Sequence, residues 1–345
     1  MRKKGAIGHG AEIRNDGPKT KTKEAGFRAI LETGLTRTLG QAVRVVSVQR
    51  KPLESRSTHG IELLIVALEN SASLPVIFKQ FDGKNEAKGS RREVLIYQRL
   101  LAGRRFGAPL LYASLYDKNR RRYWLFLEDV GEWTLNRGEK ADWMSAFRWL
   151  AELHGYYLGK EKELRSRECL SVHDAGFYRM LARDARRNLQ LAGQDRAVKY
   201  FDELMTGYDD LIADLLCIPR TLVHGDIFPE NLIVQPGHRI RPIDWEGAAI
   251  GLAALDVVRL LDGWGSDKGF FIEHYLDTLP RQGAARSAKS EFLKSLEKCE
   301  LLNELWHLGW EWEACRDELF VDGALQRIKS IQRNLKRRSE AAGRG

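Results

Sequence analysis

The spacing of apolar positions changes twice within the first 130 residues. In FRAILETGLTRTL (27–39), Phe27, Ile30, Leu31 and Leu35 recur every three or four residues, which predicts a helix. Three runs rich in β-branched and apolar residues follow: VRVVSV (43–48), IELLIVAL (61–68) and LPVIFKQF (74–81). Each reads as a strand, and the Pro of the third stands near its start, where a strand tolerates it. A helical period returns in NEAKGSRREVLIYQRLLAG (85–103), with Val94, Tyr97, Leu100 and Leu101 on one face and Gly103 as a stop. PLLYASLYD (109–117) and RYWLFLEDV (122–130) then flank a turn and predict a hairpin. This order predicts an antiparallel sheet with one helix laid on it.

After Gly131 the pattern is mainly helical. DWMSAFRWLAELHGYYLG (142–159), AGFYRMLARDARRNLQLAG (175–193) and DRAVKYFDELMTGYDDLIADLL (195–216) are amphipathic. NLIVQ (231–235) and RIRPID (239–244) bracket a PGH turn and predict a small hairpin, and beyond Trp245 the chain reads as helical to about residue 335. Within that stretch, 301–320 reads as one helix whose core stripe is Leu301, Leu305, Leu308, Trp312, Cys315 and Leu319. Beside the stripe run Trp306, Trp310, Glu313 and Asp317, either as packing or as a surface for a sugar ring or a cationic group. The division expected is a basic arm (1–25), a sheet-rich domain (26–130), a helical domain (131–330) and a basic tail (331–345).

Charge and composition narrow the function classes. The chain has 345 residues and a net charge of +9, of which residues 1–28 carry +5 and residues 327–345 carry +6, leaving −2 for the body. The basic ends read as solvated termini, so nucleic-acid contact through them is not expected. The four cysteines show no metal-ligand or C-x-x-C spacing, which fits reduced thiols and a cytoplasmic protein. No apolar run reaches the length of a membrane span, and no apolar stretch follows the N-terminal basic residues as in a secretory signal.

The chemistry concentrates in LVHGDIFPENLIV (222–234) and IDWEGA (243–248). Asp226, Asn231 and Asp244 supply two carboxylates and an amide around a predicted hairpin. Phosphoryl transfer needs such a set: a carboxylate to orient a hydroxyl and take its proton, and oxygen ligands that hold Mg²⁺ against nucleotide phosphates. Such a site also needs a cation for the phosphates, on a strand and fixed by a helix carboxylate. Lys79 in the third strand and Glu93 in the following helix fit that requirement. A nucleotide would lie in the cleft between the two domains, with the backbone of Glu128 and Val130 in the connecting segment bonding a base edge.

Lys79, Glu93, HGDIFPEN and IDWE together resemble the aminoglycoside phosphotransferase and choline kinase-like family of small-molecule kinases, over about residues 40 to 320. The resemblance implies a bilobal, protein-kinase-like α+β fold, with a small antiparallel-sheet N-lobe carrying one helix and a larger helical C-lobe. It implies Asp226 as catalytic base, Asn231 and Asp244 as Mg²⁺ ligands, and Lys79 as phosphate anchor. It also implies Asp256 as a support of the 224–231 loop, and His154 as structural. The segment ESRSTHG (54–60) stands where a phosphate-covering loop belongs but lacks a Gly-rich motif; Ser57 and Thr58 are its candidate phosphate contacts.

Gly225 precedes Asp226 where phosphorylation-switched kinases usually carry Arg, and only twelve residues separate Asp244 from Asp256. That leaves no room for a long activation loop, so the expected acceptor is a small molecule bearing a hydroxyl: an aminoglycoside, an amino alcohol or a sugar. ATP and GTP both remain open as donor, as does the oligomeric state. The competing reading is a catalytically silent nucleotide-binding or scaffold protein on the same fold.

Overall fold

The computed structural model describes residues 18–53, 60–81, 88–102, 105–279 and 284–342. Ser57 and Thr58 lie outside the described residues. The chain divides into two compact units, one within 1–82 and 111–129, the other within 83–110 and 130–345.

The first unit is an antiparallel sheet with a helix on it. Strands β1 (Val45–Pro52), β2 (Gly60–Leu68), β3 (Ser73–Gln80), β4 (Leu111–Asp117) and β5 (Arg122–Glu128) are ordered β1-β2-β3-β5-β4. Pro75 pairs with Ile65 of β2 before the β3–β5 ladder begins at Val76, so its missing N–H costs the inner ladder nothing. Leu64, Val66, Val76, Phe78 and Phe126 are fully buried. Helix α1 (Pro18–Leu39) places Phe27 5.1 Å from both Phe78 and Phe126, edge-on to each. It approaches β4 so closely that a Cβ at Gly34 would lie 2.3 Å from that of Ala113, a spacing only glycine permits.

The second unit is mainly helical. It contains α2 (Lys88–Arg99), α3 (Lys140–Tyr157), α4 (Glu161–Ser166), α5 (Ala175–Leu191), α6 (Asp195–Leu204), α7 (Tyr208–Leu216), α8 (Ala253–Leu260), α9 (Lys268–Thr278), α10 (Ala284–Trp310) and α11 (Glu318–Ala342). Its strands are short. β6 (Ser171–Val172), β7 (Thr221–Val223) and β10 (Ala249–Gly251) form a sheet ordered β6-β10-β7, and β8 (Leu232–Gln235) and β9 (Arg239–Pro242) form the hairpin expected around the PGH turn. Among the described residues no helix is long and apolar enough to cross a membrane.

Three sequence expectations are corrected. The helix read over 195–216 is two helices, broken at Gly207, whose φ of +81° no helix accommodates. The stretch after Trp245 is interrupted by β10, which pairs with both β6 and β7. Thirdly, 301–320 is not one helix. Asn188 of α5 donates to the carbonyls of Leu308 and Gly309 at 3.0 and 2.8 Å, satisfying the last turn of α10. Asp317 then caps α11 through the Leu319 N–H at 2.9 Å. Leu301, Leu305, Leu308 and Cys315 are buried as expected, but Trp312 and Leu319 are 41% and 82% exposed. Apolar spacing of three and four survives a bend in the chain, so periodicity alone does not separate one helix from two.

Candidate active site

The site in the second unit is built from the segment after β7. Thr221, Leu222 and Val223 are all buried, and the Thr221 hydroxyl donates to the His154 carbonyl at 2.7 Å. The chain then leaves the sheet, and Asp256 in the first turn of α8 catches it. One Asp256 carboxylate oxygen accepts the N–H of His224 at 2.7 Å and the other that of Gly225 at 3.0 Å. His154 Nε2 lies 3.3 Å from the same carboxylate, while its Nδ1 lies 2.8 Å from the Tyr275 hydroxyl. Burial by itself would raise the Asp256 carboxyl; the His154 hydrogen bond, the electrostatic influence of the His154 and His224 imidazoles and the loop N–H outweigh it and hold the group below its ordinary value.

His224 is also structural. Its Nε2–H donates to the Ile243 carbonyl at 3.0 Å, its ring packs 4.5 Å from that of Trp245, and burial lowers its pKa. Gly225 has φ +77°, and a Cβ there would lie 2.1 Å from the Gly247 carbonyl oxygen. Two loops therefore meet glycine to glycine, which sets Asp226 beside the Asp244 loop.

A short 3₁₀ turn, Pro229–Asn231, leads into β8. The β8–β9 register pairs Leu232 with Pro242, and the Ile243 N–H donates to the Asn231 carbonyl at 2.9 Å. The hairpin thus brings Asn231 next to Asp244 despite their separation in sequence. The Asn231 amide nitrogen donates to the Asp226 carbonyl at 2.8 Å and lies 3.3 Å from its Oδ2. Asp244 has φ +63°, a left-handed conformation that Asp tolerates better than most residues. Burial, then repulsion from Asp244, pushes the Asp226 carboxyl up to about 6, with Arg259 and Asn231 acting in the opposite direction.

Helix α2 grips the Asp244 loop. Glu93, fully buried, accepts the Trp245 N–H at 3.3 Å, and Arg92 donates to the Glu246 carbonyl at 2.7 Å. The structure therefore gathers Glu93, Asp226, Asn231 and Asp244 around one pair of loops. Lys79 and Glu128 belong to the first unit. Lys79 is 7% exposed on β3, paired with Leu125 of β5, and Glu128 ends β5 opposite Val76. Val130 is buried in the second unit, and its carbonyl accepts from Gln235 at 2.9 Å.

Of the residues beside the site, Arg259 was not assigned a place there from the sequence, and Trp306 was read as packing or as a surface for a ring or cationic group. Arg259 of α8 donates to the Gly225 carbonyl and lies 5.0 Å over the ring of Trp306. Trp306 also packs 5.4 Å from Phe228 and stacks nearly parallel on Trp310, which is 72% exposed. The one sequence signal for Arg259 was its position three residues after Asp256, on the same helix face.

A sequence model of the phosphotransferase enzyme family (APH) matches residues 58–293. The chain belongs to this phosphotransferase family. Among curated protein sequences, none matches it. Solved structures show the phosphotransferase's fold to be kinase-like. The Plasmodium vivax ethanolamine kinase is 15% identical, with a TM-score of 0.56 over 92% of this chain and 89% of that one. The GDP complex of aminoglycoside 2'-phosphotransferase-IIIa is 15% identical, with a TM-score of 0.53 over 90% of this chain and 98% of that one. The choline kinase from Streptococcus pneumoniae is 18% identical, with a TM-score of 0.51 over 88% of this chain and 99% of that one. At these identities the likeness establishes the fold of the phosphotransferase.

Proposed function

We propose that the protein is a small-molecule kinase that moves the γ-phosphate of ATP or GTP, with Mg²⁺, to a hydroxyl of an aminoglycoside, amino alcohol or sugar-like acceptor. The convergence of Asp226, Asn231 and Asp244 on two touching loops carries this reading. Asp226 would orient the acceptor hydroxyl and take its proton. A carboxyl shifted to about 6 still ionises near neutrality and is a better proton acceptor than an ordinary Asp. Lys79, buried on β3, supplies the cation for the donor phosphates. The ends of the segment from Glu128 to Val130 are the candidates for the base edge, and the Val130 carbonyl is already engaged by Gln235.

The residues present fit Mg²⁺. Asp226 and Asp244 repel each other, and a divalent cation would relieve that repulsion. The Asn231 amide nitrogen is turned to Asp226, which leaves the amide oxygen as its ligating end. Among the described residues no group of three or more His, Cys, Asp or Glu could hold a metal ion, so Mg²⁺ here would need the donor phosphates to complete its shell. Asn231 and Asp244 would hold it. When bound, Mg²⁺ neutralises charge on the phosphate oxygens.

For the acceptor, the Phe228–Trp306–Trp310 rings beside Asp226 favour a molecule with a ring or cationic group. All four cysteines are free thiols, which supports a reducing, cytoplasmic setting.

Calorimetry of ATP and GTP with and without Mg²⁺ tests the donor side, and product formation with candidate acceptors tests the rest. Asp226→Ala is expected to lower turnover by orders of magnitude with nucleotide binding nearly kept. Equal activity in that variant would overturn the assignment. Metal-dependent binding with no transfer to any acceptor, and hydrolysis unaffected by Asp226→Asn, would favour the catalytically silent reading.

A further inference from the structure

We propose that Arg259, seated on Trp306, is a positioning residue for Asp226: it locks the peptide plane between Gly225 and Asp226. The proposal rests on Asp226 being the base. The Gly225 carbonyl and the Asp226 N–H belong to one rigid plane. Whatever holds that oxygen fixes the rotation of the plane, and hence the direction in which the Asp226 side chain leaves the backbone. Glycine is the residue least able to resist such a rotation, and Gly225 stands at φ +77° with no side chain to brace it.

Helix α8 supplies the brace from one face. Asp256 takes the N–H groups of His224 and Gly225, and Arg259, about one turn later, donates to the carbonyl of Gly225. Acid and base on one helix thus grip both polarities of the same short backbone segment. A bond to the carbonyl requires a donor, and the loop's own side chains do not provide a cation, because the position before Asp226 is glycine. The guanidinium therefore comes from α8.

Arg259 is held in that task by α10. It is 3% exposed, and its guanidinium carbon lies 5.0 Å over the Trp306 ring. Trp306 packs in turn 5.4 Å from Phe228, on the far side of Asp226 in the same loop. Loop, arginine and tryptophan form a closed packing unit, and the Arg259 Nε has no hydrogen-bond partner among the described residues. A buried guanidinium that leaves one donor unmade but spends another on a glycine carbonyl is placed for that carbonyl.

The test compares Arg259→Met, Arg259→Lys, Trp306→Leu and Asp226→Ala in the full chain, with Mg²⁺–ATP turnover (hydrolysis, or transfer to an acceptor) and amide hydrogen exchange of 222–232. In Arg259→Met, kcat is expected to fall at least tenfold with the KM for Mg²⁺–ATP within about twofold. Exchange of 222–232 is expected to rise at least tenfold while the rest of α8 keeps its protection. Arg259→Lys restores the charge but not the planar fork, and falls between wild type and Met. Exchange and kcat both within twofold of wild type in Arg259→Met overturn the proposal. If Asp226→Ala keeps its turnover, the reading of Asp226 fails instead, and the exchange measurement still decides whether Arg259 holds the peptide. Should Arg259→Met fail to fold, Arg259→Lys and Trp306→Leu carry the same comparison: faster exchange confined to 222–232 supports the lock, and unchanged exchange in both rejects it.

Discussion

Replacing Asp226 by Asn should stabilise the metal-free protein at neutral pH while removing its proposed activity. Burial and the nearby Asp244 raise the Asp226 carboxyl from an ordinary 3.8 to about 6. Each pKa unit is worth about 1.4 kcal/mol between protonation states, so ionising Asp226 in the folded chain costs about 3 kcal/mol more than in the unfolded chain. The sign follows from proton binding: between about pH 4 and 6 the folded state holds a proton that the unfolded state has released. Wild-type stability is therefore lost as pH rises through that window, and the loss levels off above it. Asn keeps the size of the side chain and carries no charge. Its variant should be more stable by about 1–3 kcal/mol near pH 7.5, and the difference should vanish near pH 4. Urea unfolding of both proteins across that range, with chelator present, measures it. Adding Mg²⁺ and nucleotide should favour the wild type instead. An Asn variant that is less stable at pH 7.5, or a difference that does not change with pH, would refute the reasoning.

Gly225→Ala should destabilise the fold by about 2 kcal/mol or more and nearly abolish turnover, because φ +77° and a Cβ 2.1 Å from the Gly247 oxygen force the two loops apart; thermal unfolding and an activity assay check it. Asp244→Ala should lower affinity for Mg²⁺–nucleotide far more than for nucleotide without metal, a contrast that calorimetry reads. His307 sits 2.7 Å from both Asp262 and Glu311; burial opposes its protonation, but the two acids outweigh it and raise its pKa, while His307 lowers that of Asp262. A raised His stabilises fully below about pH 6.5 and loses that as pH climbs through its folded pKa; a depressed Asp stabilises above about pH 4 and loses that on acidification. Wild type should therefore exceed His307→Gln in Tm most clearly near pH 5.5, with the gap closing as pH rises through the folded His307 pKa; a gap that widens with pH would contradict the pairing. Both partners are partly exposed, so the expected shift is a few degrees at most.

The strands of the first unit and most helices of the second were legible because each buries one face, and a single buried face imprints its period on the residues. HGDIFPEN and IDWE marked the candidate site, because polar oxygens beside apolar strands need partners or ligands to be tolerated there. The single-helix reading of 301–320 failed because apolar spacing does not register where Asn188 and Asp317 satisfy helix ends. Periodicity likewise said nothing of Arg259, or of the contact Trp306 makes with it, since their significance lies in what they touch, a glycine carbonyl and an aromatic ring on the 224–231 segment. By itself, the sequence determined which side chains are candidates for the proposed chemistry, because residue type and local spacing are one-dimensional properties. Only the tertiary structure decided which of them meet, because the contact of Gly225 with Gly247, the raised Asp226 carboxyl and the grip of α8 all arise between segments brought together by folding.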